Sequence, residues 1–363
     1  MKKKFILTSI ALSLLLSFML LSCNADATAG LFRQISNASA PVGIVYKQIV
    51  GLDTIAPKTL FFLTDEGLYK TDGSSSTKLV ANEEGEIIQT AYYDKGVGKV
   101  IYQTNNNTGK IYSYDLASNT KESIPISDFS AFDYVKLLPN GLVLTGVEDV
   151  FALYDYDDAA TIVKTIGSHA GYGVDAVLQL SGKEHMTVSA TNPLLISLTD
   201  GSDYRHFYYD GATAELNTST SGFRFASMAF INTKIYLLTD DGDLYATATP
   251  SASTFDDVHK TNKSYKENAF MYGYYDSANS VTKLITKPAG INDALYEINI
   301  HASDTVTANN VDDGYGKYLD AAEIKDSYEK DAGKLLVATS NNGMFEINLA
   351  TNTSSSAENY TLD

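Results

Sequence analysis

A pattern that returns seven times along the chain constrains its fold more than any other feature. A β-prone run ends in Thr, an Asp/Asn/Gly turn follows, and a second β-prone run carries an aromatic residue. Segments 60–69 and 235–245 repeat the pattern almost identically, as LFFLTDEGLY and IYLLTDDGDLY. Such turns indicate hairpins, because Gly and Asn tolerate the positive φ that tight turns require.

The aromatic residue of the second run marks the phase of each unit. The marker positions are Tyr69, Tyr112, Tyr154, Ser197, Tyr245, Tyr296 and Phe345, with Ser197 replacing the aromatic residue in a degenerate fourth unit. Their spacings are 43, 42, 43, 48, 51 and 49 residues. Seven units of this length indicate a β-propeller. The predicted fold class is therefore all-β, a seven-bladed β-propeller of four-stranded antiparallel blades.

Further β-prone runs complete the predicted blades. Innermost strands are predicted at 87–93, 132–138, 174–180, 223–231 and 270–275, and outermost strands at 78–80, 161–166 and 205–209. Closing the ring requires the first and last units to share a blade or to pack tightly. Either 42–46 or 358–362 would supply the last outer strand, and the order of the repeat favours 358–362.

The repeat resembles the quinoprotein-like and WD40-like propeller families over residues 43–363. The chain contains no tryptophan, so it lacks the Trp-Asp dipeptide of WD40 repeats. It also lacks the tryptophan docking motifs of quinoprotein alcohol dehydrogenases. We therefore expect no pyrroloquinoline quinone, and the sequence predicts no other cofactor.

The N-terminal segment is typical of an export signal, with three lysines at 2–4 and an apolar stretch over 5–21. The residues that follow, Leu20-Leu21-Ser22-Cys23, resemble the bacterial lipobox. In that motif a peptidase cleaves before the cysteine, whose thiol is lipid-modified, and Cys23 is the only cysteine of this chain. We therefore expect a lipoprotein signal peptide at 1–22, a lipidated flexible tether at 23–42 and a propeller at 43–363. The alternative is an uncleaved membrane anchor.

The predicted location is the bacterial cell envelope, with the protein lipid-anchored at Cys23 and extracytoplasmic. By resemblance to Gram-negative sorting, in which Asp after the cysteine favours inner-membrane retention, Asn24 permits the outer membrane. The net charge of −17 argues against a nucleic-acid partner, which would need a Lys/Arg-rich face.

No catalytic residue or metal site is predicted. No two of the five histidines have the spacing that aims both at one metal. A single cysteine excludes an internal disulfide and a multi-cysteine metal site. The Gly-x-Ser-x-Gly and Gly-x-x-x-x-Gly-Lys-Ser/Thr motifs are absent. Ligands that converge from separate blades would leave no such spacing.

Paired tyrosines suggest a recognition surface. Tyr92-Tyr93 and Tyr274-Tyr275 each precede an Asp at the end of a predicted innermost strand, beside the rim of the channel. Tyrosine combines an apolar ring with a hydroxyl, which suits protein or glycan recognition. We therefore predict Tyr92, Tyr93, Tyr274 and Tyr275 as ligand-binding residues. The alternative is that these aromatics only fill strand positions, where they are favoured.

The sequence thus predicts an anchored propeller that acts as a protein- or ligand-binding scaffold. Two alternatives remain open. One is a propeller hydrolase or lyase with a site at the channel mouth, and the other is an assembly factor for outer-membrane barrels.

Replacing the predicted lipidation site tests the anchor. In Cys23→Ala the protein should leave the membrane fraction, because acyl chains hold a protein to a bilayer by about 0.8 kcal/mol per buried methylene. The measurement is membrane fractionation with metabolic fatty-acid labelling, and Ser36→Ala in the tether is the matched control. A Cys23→Ala protein that stays in the membrane would support the uncleaved anchor instead.

Overall fold

The computed structural model describes residues 45–356, apart from 54–57, 73–74, 124, 213, 216–221, 249–254, 291, 312, 320–321 and 341. Cys23 and the predicted signal peptide and tether lie outside these residues. Within the described ranges, strands dominate and form seven antiparallel sheets, which confirms the predicted all-β propeller.

Each blade is built from consecutive strands, the first innermost and the last outermost. Blade 1 contains β1 (Tyr46–Asp53), β2 (Thr59–Thr64), β3 (Gly67–Thr71) and β4 (Ser76–Ala81). Blade 2 contains β5 (Ile88–Asp94), β6 (Lys99–Thr104), β7 (Lys110–Asp115) and β8 (Thr120–Lys121), and its β9 (Ser127–Asp128) also pairs with β7. Blade 3 contains β10 (Tyr134–Leu137), β11 (Leu142–Val147), β12 (Val150–Asp155) and β13 (Asp158–Ser168).

The remaining four blades follow the same order. Blade 4 contains β14 (Gly173–Leu178), β15 (Leu194–Thr199), β16 (Tyr204–Tyr209) and β17 (Ala214–Glu215). Blade 5 contains β18 (Phe225–Ile231), β19 (Lys234–Thr239), β20 (Asp243–Thr247) and β21 (Asp256–Lys260). Blade 6 contains β22 (Met271–Asp276), β23 (Val281–Thr286), β24 (Leu295–His301) and β25 (Val306–Val311). A 3-10 helix (Gly314–Gly316) precedes blade 7, which contains β26 (Ile324–Asp331), β27 (Lys334–Thr339), β28 (Met344–Asn348) and β29 (Thr353–Ser356).

The apolar core lies between the blades. Each of the seven clusters of buried apolar residues draws its members mainly from two blades that are neighbours in the chain, or from blades 7 and 1. At the seam between blades 7 and 1, Leu336 and Met344 pack with Leu60 and Phe62. The backbone N–H of Ile49 also donates to Asp326 Oδ2 across this seam, at 2.7 Å. The ring therefore closes by side-chain packing between two complete blades.

The threonine of the repeat stabilises the hairpin turn that follows it. Thr64 is fully buried, its Oγ1 accepts a hydrogen bond from Glu66 N at 3.1 Å, and Thr239 Oγ1 accepts one from Asp243 N at 2.9 Å. At Gly67, with φ of +137°, an added Cβ would lie 2.1 Å from the carbonyl oxygen of Val80. These contacts explain why Thr and Gly return together in the sequence.

The fourth unit corrects two predictions. Ser197 lies on β15, a second strand, and not at the third-strand position of the other markers. Segment 205–209 belongs to the third strand, β16, so the predicted outermost strand there was wrong, and β17 is the outermost strand. The error arose because the turn at Thr199-Asp200-Gly201 was aligned with a turn after a third strand. Phe207 and Tyr209 on β16 are the aromatic residues that pack toward blade 3.

The other predicted strands agree better with the structure. The five predicted innermost strands overlap β5, β10, β14, β18 and β22, and the outermost strands predicted at 78–80 and 161–166 lie within β4 and β13. Blade 7 ends with β29, whereas segment 358–362 lies outside the described residues. Tyr46 begins β1, an innermost strand, and residues 42–44 of the other candidate segment lie outside the described residues.

Truncating a side chain at the seam should destabilise the whole ring. Phe62 is fully buried between blades 1 and 7, and Phe62→Ala should cost about 3–5 kcal/mol through lost burial and the cavity left behind. The measurement is the urea midpoint followed by circular dichroism. Val97→Ala, at a side chain 59% exposed, is the control and should change stability by less than about 0.5 kcal/mol. Equal midpoints for the two variants would contradict closure by packing.

Candidate functional site

One connection distinguishes blade 4 from the other blades. Elsewhere, two to five residues join the first strand to the second, but residues 179–193 join β14 to β15. We call residues 179–193 the blade-4 segment. Its fold is fixed by Asn192, which is buried and whose Nδ2 donates to the carbonyl oxygen of Met186 at 3.0 Å. The backbone of Met186 in turn donates to the carbonyl oxygen of Lys183 at 2.9 Å.

The blade-4 segment crosses the channel and contacts blade 7. The carbonyl oxygen of Gly182 accepts a hydrogen bond from Glu329 N at 2.8 Å, and Lys183 Nζ lies 3.2 Å from Glu329 Oε2. The ring of His185 stacks on Tyr328, with centroids 4.0 Å apart. Gly182 has φ of +87°, and an added Cβ would lie 3.2 Å from Glu329 N, so a glycine suits this close approach. The segment therefore covers the channel near the mouth where the innermost strands end.

Behind the segment lies a cavity of about 270 Å³, which we call the channel cavity. Residues from all seven blades line it. Exposed side chains at the start of innermost strands, including Gln89 and Lys325, border its other end. Most of the lining is polar, with Gln48, Ser227 and Ser327 among the buried contributors. The cavity is therefore suited to a polar guest or to water.

Two carboxyl groups meet in the channel cavity, Glu184 from the blade-4 segment and Asp326 from β26. Burial raises the pKa of Asp326 to about 7, although the N–H groups of Ile49 and Ser327 donate to its two oxygens at 2.7 and 2.8 Å. Burial, followed by the neighbouring charge of Asp326, raises the pKa of Glu184 well above its ordinary value. Within the described residues, Glu184 Oε2 and Ser327 Oγ are buried without a hydrogen-bond partner.

Burial lowers the pKa of basic groups near the cavity. Burial lowers the pKa of His185 to about 4, which keeps its imidazole neutral against Tyr328. Burial also lowers the pKa of Lys136 on β10, while the charge of Glu267 raises it in part. The channel interior therefore disfavours charge of either sign on these side chains.

A second cavity, of about 590 Å³, lies between the blade-4 segment and blades 1 and 2. We call it the mouth cleft. Tyr92 and Tyr93 line it on one side and His185 and Met186 on the other, with Tyr328 between them. Met186 is 46% exposed. The cleft thus combines aromatic rings, a thioether and a polar rim.

The cleft tyrosines are held by their neighbours. The hydroxyl of Tyr93 donates to Asp53 Oδ2 at 3.2 Å, its ring lies 4.5 Å from that of Phe61, and burial raises its pKa to about 12. The ring of Tyr92 lies 5.9 Å from that of Tyr156. Each tyrosine therefore packs between blades and also presents part of its surface to the cleft.

The structure brings together two of the four predicted ligand-binding tyrosines. Tyr92 and Tyr93 end β5 beside the mouth cleft, whereas Tyr274 and Tyr275 lie on β22 and do not line it. Tyr274 is half-buried and packs against blade 7, close to Gly333, and Tyr275 is 40% exposed. A binding role for the four tyrosines remains a prediction.

Sequence reasoning missed the blade-4 segment and its Glu184, as well as Asp326. The available signal was the polar run SGKEHMTVSATN between two apolar runs of the fourth unit, which is too long for a tight hairpin. Among the described residues, no three His, Cys, Asp or Glu side chains are placed to hold a metal together. The described part of the chain also contains no helix long and apolar enough to cross a membrane.

Comparisons with known proteins identify a fold and no family. No protein family model matches the sequence, and no curated protein matches it. Among solved structures, the chain is similar to an ancestral GH74 enzyme, with a TM-score of 0.55 and 13% identity, covering 87% of this chain and 46% of that chain. It is also similar to YCF48 from Cyanidioschyzon merolae, with a TM-score of 0.54 and 11% identity, covering 85% of this chain and 97% of that chain.

A third similar structure is the extracellular domain of a putative one component system from B. thetaiotaomicron. Its TM-score is 0.49 and its identity 12%, covering 84% of this chain and 38% of that chain. This chain therefore spans less than half the length of that domain and of the GH74 enzyme. At these identities the likenesses to the GH74 enzyme and to YCF48 show the propeller fold alone.

The buried carboxyl pair should make stability depend on pH. The folded pKa of Asp326 is about 7, above the ordinary value of about 3.9. Between these values the folded state holds a proton that the unfolded state has lost, so stability should fall as pH rises from about 4 to about 7. In Asp326→Asn this contribution is absent.

The measurement compares urea midpoints of the wild-type protein and Asp326→Asn across that pH range. His185 contributes the opposite slope below about pH 6.5, because its folded pKa is lowered. His185 is present in both proteins, so their difference isolates the pair of carboxyl groups, because the charge of Asp326 also acts on the pKa of Glu184. Midpoint curves that run parallel across the range would contradict the assignment.

Proposed function

We propose that this protein is a lipid-anchored, extracytoplasmic propeller that binds a protein partner in the mouth cleft. The observation that carries the proposal is the blade-4 segment, which adds a second wall to the tyrosines of blade 2. A flat rim becomes a cleft of about 590 Å³, within the usual range for sites that bind small ligands or partner side chains.

The chemistry of the cleft favours an apolar side chain of the partner. Tyrosine and methionine dominate many protein recognition surfaces, because the first is rigid with a polar end and the second adapts its shape. Met186 and Tyr93 face this cleft from opposite walls. The rings of Tyr92 and Tyr93 are already positioned by packing, so little side-chain entropy is lost on binding.

The charge of the protein favours a partner with basic residues. The whole chain carries a net charge of −17. Asp94, Lys95 and Lys183 line the cleft itself. Acidic groups lie close to both lysines, since Lys95 is 3.9 Å from Asp53 and Lys183 is 3.2 Å from Glu329. Complementary charge accelerates association and orients the partner. We therefore propose that the partner segment presents an apolar side chain next to Lys or Arg. A glycan would use the same rings without this charge preference.

Anchoring at Cys23 gives this binding its location. The lipobox-like sequence and the tether at 23–42 support attachment to a membrane of the bacterial cell envelope, with the outer membrane favoured by Asn24. A propeller held on a flexible tether samples a limited volume above the membrane, which raises its effective concentration for partners in that membrane. A role in assembly of outer-membrane barrels is one specific form of this function.

A second candidate function is catalysis within the channel, as a hydrolase or a lyase. The observation in its favour is the pair of Glu184 and Asp326, because a carboxyl group with a pKa of about 7 can donate a proton at neutral pH. The pair lies inside the channel cavity and behind the blade-4 segment, so a substrate would enter from the opposite end. A partner-binding role needs no such entry path.

A charge placed in the cleft tests the proposed function. Met186→Lys should abolish in-cell cross-linking to a partner that the wild-type protein captures reproducibly, because a buried ammonium group beside the Lys or Arg of the partner opposes binding. The measurement is quantitative mass spectrometry after cross-linking. Ile162→Lys is the matched control, since Ile162 is a similarly exposed apolar residue, 49%, on the outermost strand of blade 3.

The outcome is decided by the ratio of the amounts of partner that the two variants capture. Loss of the same protein in Met186→Lys but not in Ile162→Lys supports the cleft as the docking site. Equal capture by both variants, or loss of a glycan and not of a protein, would contradict the proposal.

A further inference from the structure

We propose that Glu184, Asp326 and Ser327 form a binding site for a hard divalent cation such as Ca²⁺ inside the channel cavity. The site would join the blade-4 segment to blade 7 through the metal. It uses residues behind the segment and not those of the mouth cleft, so its test is independent of the test of the proposed function.

The first argument is charge. In the part of the chain that the structure describes, neither Glu184 nor Asp326 forms an ion pair. Three lysines line the same cavity. Lys325 pairs with Glu323 at 3.0 Å, and the charge that acts on Lys136 is that of Glu267. Lys47 forms no ion pair with either carboxylate among the described residues. Buried carboxylates are ordinarily paired with cationic groups or bound to metals, because an isolated buried charge is costly. A cation bound from solution would supply the positive charge that these two carboxylates lack.

The second argument is the two unpartnered oxygen atoms. Ser327 is 2% exposed, lines the cavity, and its Oγ has no hydrogen-bond partner among the described residues. Glu184 Oε2 is also a buried atom without a hydrogen-bond partner among the described residues. Native proteins rarely leave buried polar atoms without a partner, so each such atom calls for an explanation. Two such atoms, on residues that line one cavity, indicate a missing ligand.

The third argument is the donor set and the available space. Two carboxylates and a hydroxyl offer oxygen atoms only, which hard cations such as Ca²⁺ prefer over nitrogen or sulfur. Ca²⁺ takes six to eight oxygen ligands, and water commonly supplies some of them. A cavity of about 270 Å³ holds the ion together with several waters, each occupying about 30 Å³. Three protein side chains therefore suffice.

A cation at this position would hold the blade-4 segment closed. Without it, the segment is held to blade 7 by the Gly182–Glu329 hydrogen bond, the Lys183–Glu329 ion pair and the His185–Tyr328 stacking. The cation would replace repulsion between two carboxylates with a shared attraction. We therefore expect Ca²⁺ binding to be detectable both as a measured affinity and as slower hydrogen exchange in residues 179–193.

The experiment is isothermal titration of CaCl₂ into the full-length protein after chelator treatment, at pH 8. We expect one site with a Kd of about 10⁻⁴–10⁻³ M, as in extracellular calcium modules. Glu184→Gln should weaken binding at least about tenfold, and Ser327→Ala should weaken it less, because removing a carboxylate removes charge as well as a ligand. Hydrogen exchange should slow in residues 179–193 on addition of Ca²⁺.

A matched control separates this site from diffuse binding to an acidic surface. The double variant Asp155→Asn/Asp157→Asn removes two exposed carboxylates outside the cavity and should leave the Kd unchanged. Circular dichroism verifies that every variant is folded. No saturable binding by the wild-type protein, or equal loss in the control and in Glu184→Gln, would overturn the proposal. Binding without slower exchange in the segment would overturn its placement.

Discussion

Apolar packing between neighbouring blades is the interaction on which this structure depends. A four-stranded sheet has two faces, and a single blade can cover neither of them. Each blade therefore buries its faces against the blade before and the blade after, and blade 1 does so against blade 7 through Phe62 and Leu336. Because the seven clusters depend on one another, the channel and its mouth acquire a rigid frame without disulfides. Everything that distinguishes this propeller is added to that frame.

The blade-4 segment is the main addition. In the other six blades, only two to five residues separate the first strand from the second. The blade-4 segment instead crosses to Tyr328 and Glu329, and in doing so it creates both cavities. One wall of the mouth cleft and one carboxylate of the channel cavity come from the same run of residues. A change in the position of the segment would therefore alter both cavities together.

The sequence was a good guide wherever a local rule was repeated. The Thr–turn–Gly pattern identified the hairpins because each turn needs its own hydrogen bond and its own positive φ, as at Thr64 and Gly67. The number of blades and most innermost strands followed from it. The fourth unit was misread because the length of its first connection breaks the period, and Ser197 was assigned to the wrong strand. Asp326 and Glu184 are 142 residues apart in the chain, and only ring closure brings them together, so no spacing rule could reveal the pair.

The manner of ring closure has an evolutionary consequence. Among the described residues, each blade is built from strands that are consecutive in the chain, and no strand is exchanged between the first blade and the last. A duplication or deletion that spans one repeat would therefore add or remove a complete sheet, with no unpaired strand left behind. Rings closed by a strand from the opposite terminus lack this freedom, since a change in copy number must preserve the shared blade. The present architecture is thus open to growth by whole modules, and an elaborated module such as the fourth can diversify while its neighbours stay alike.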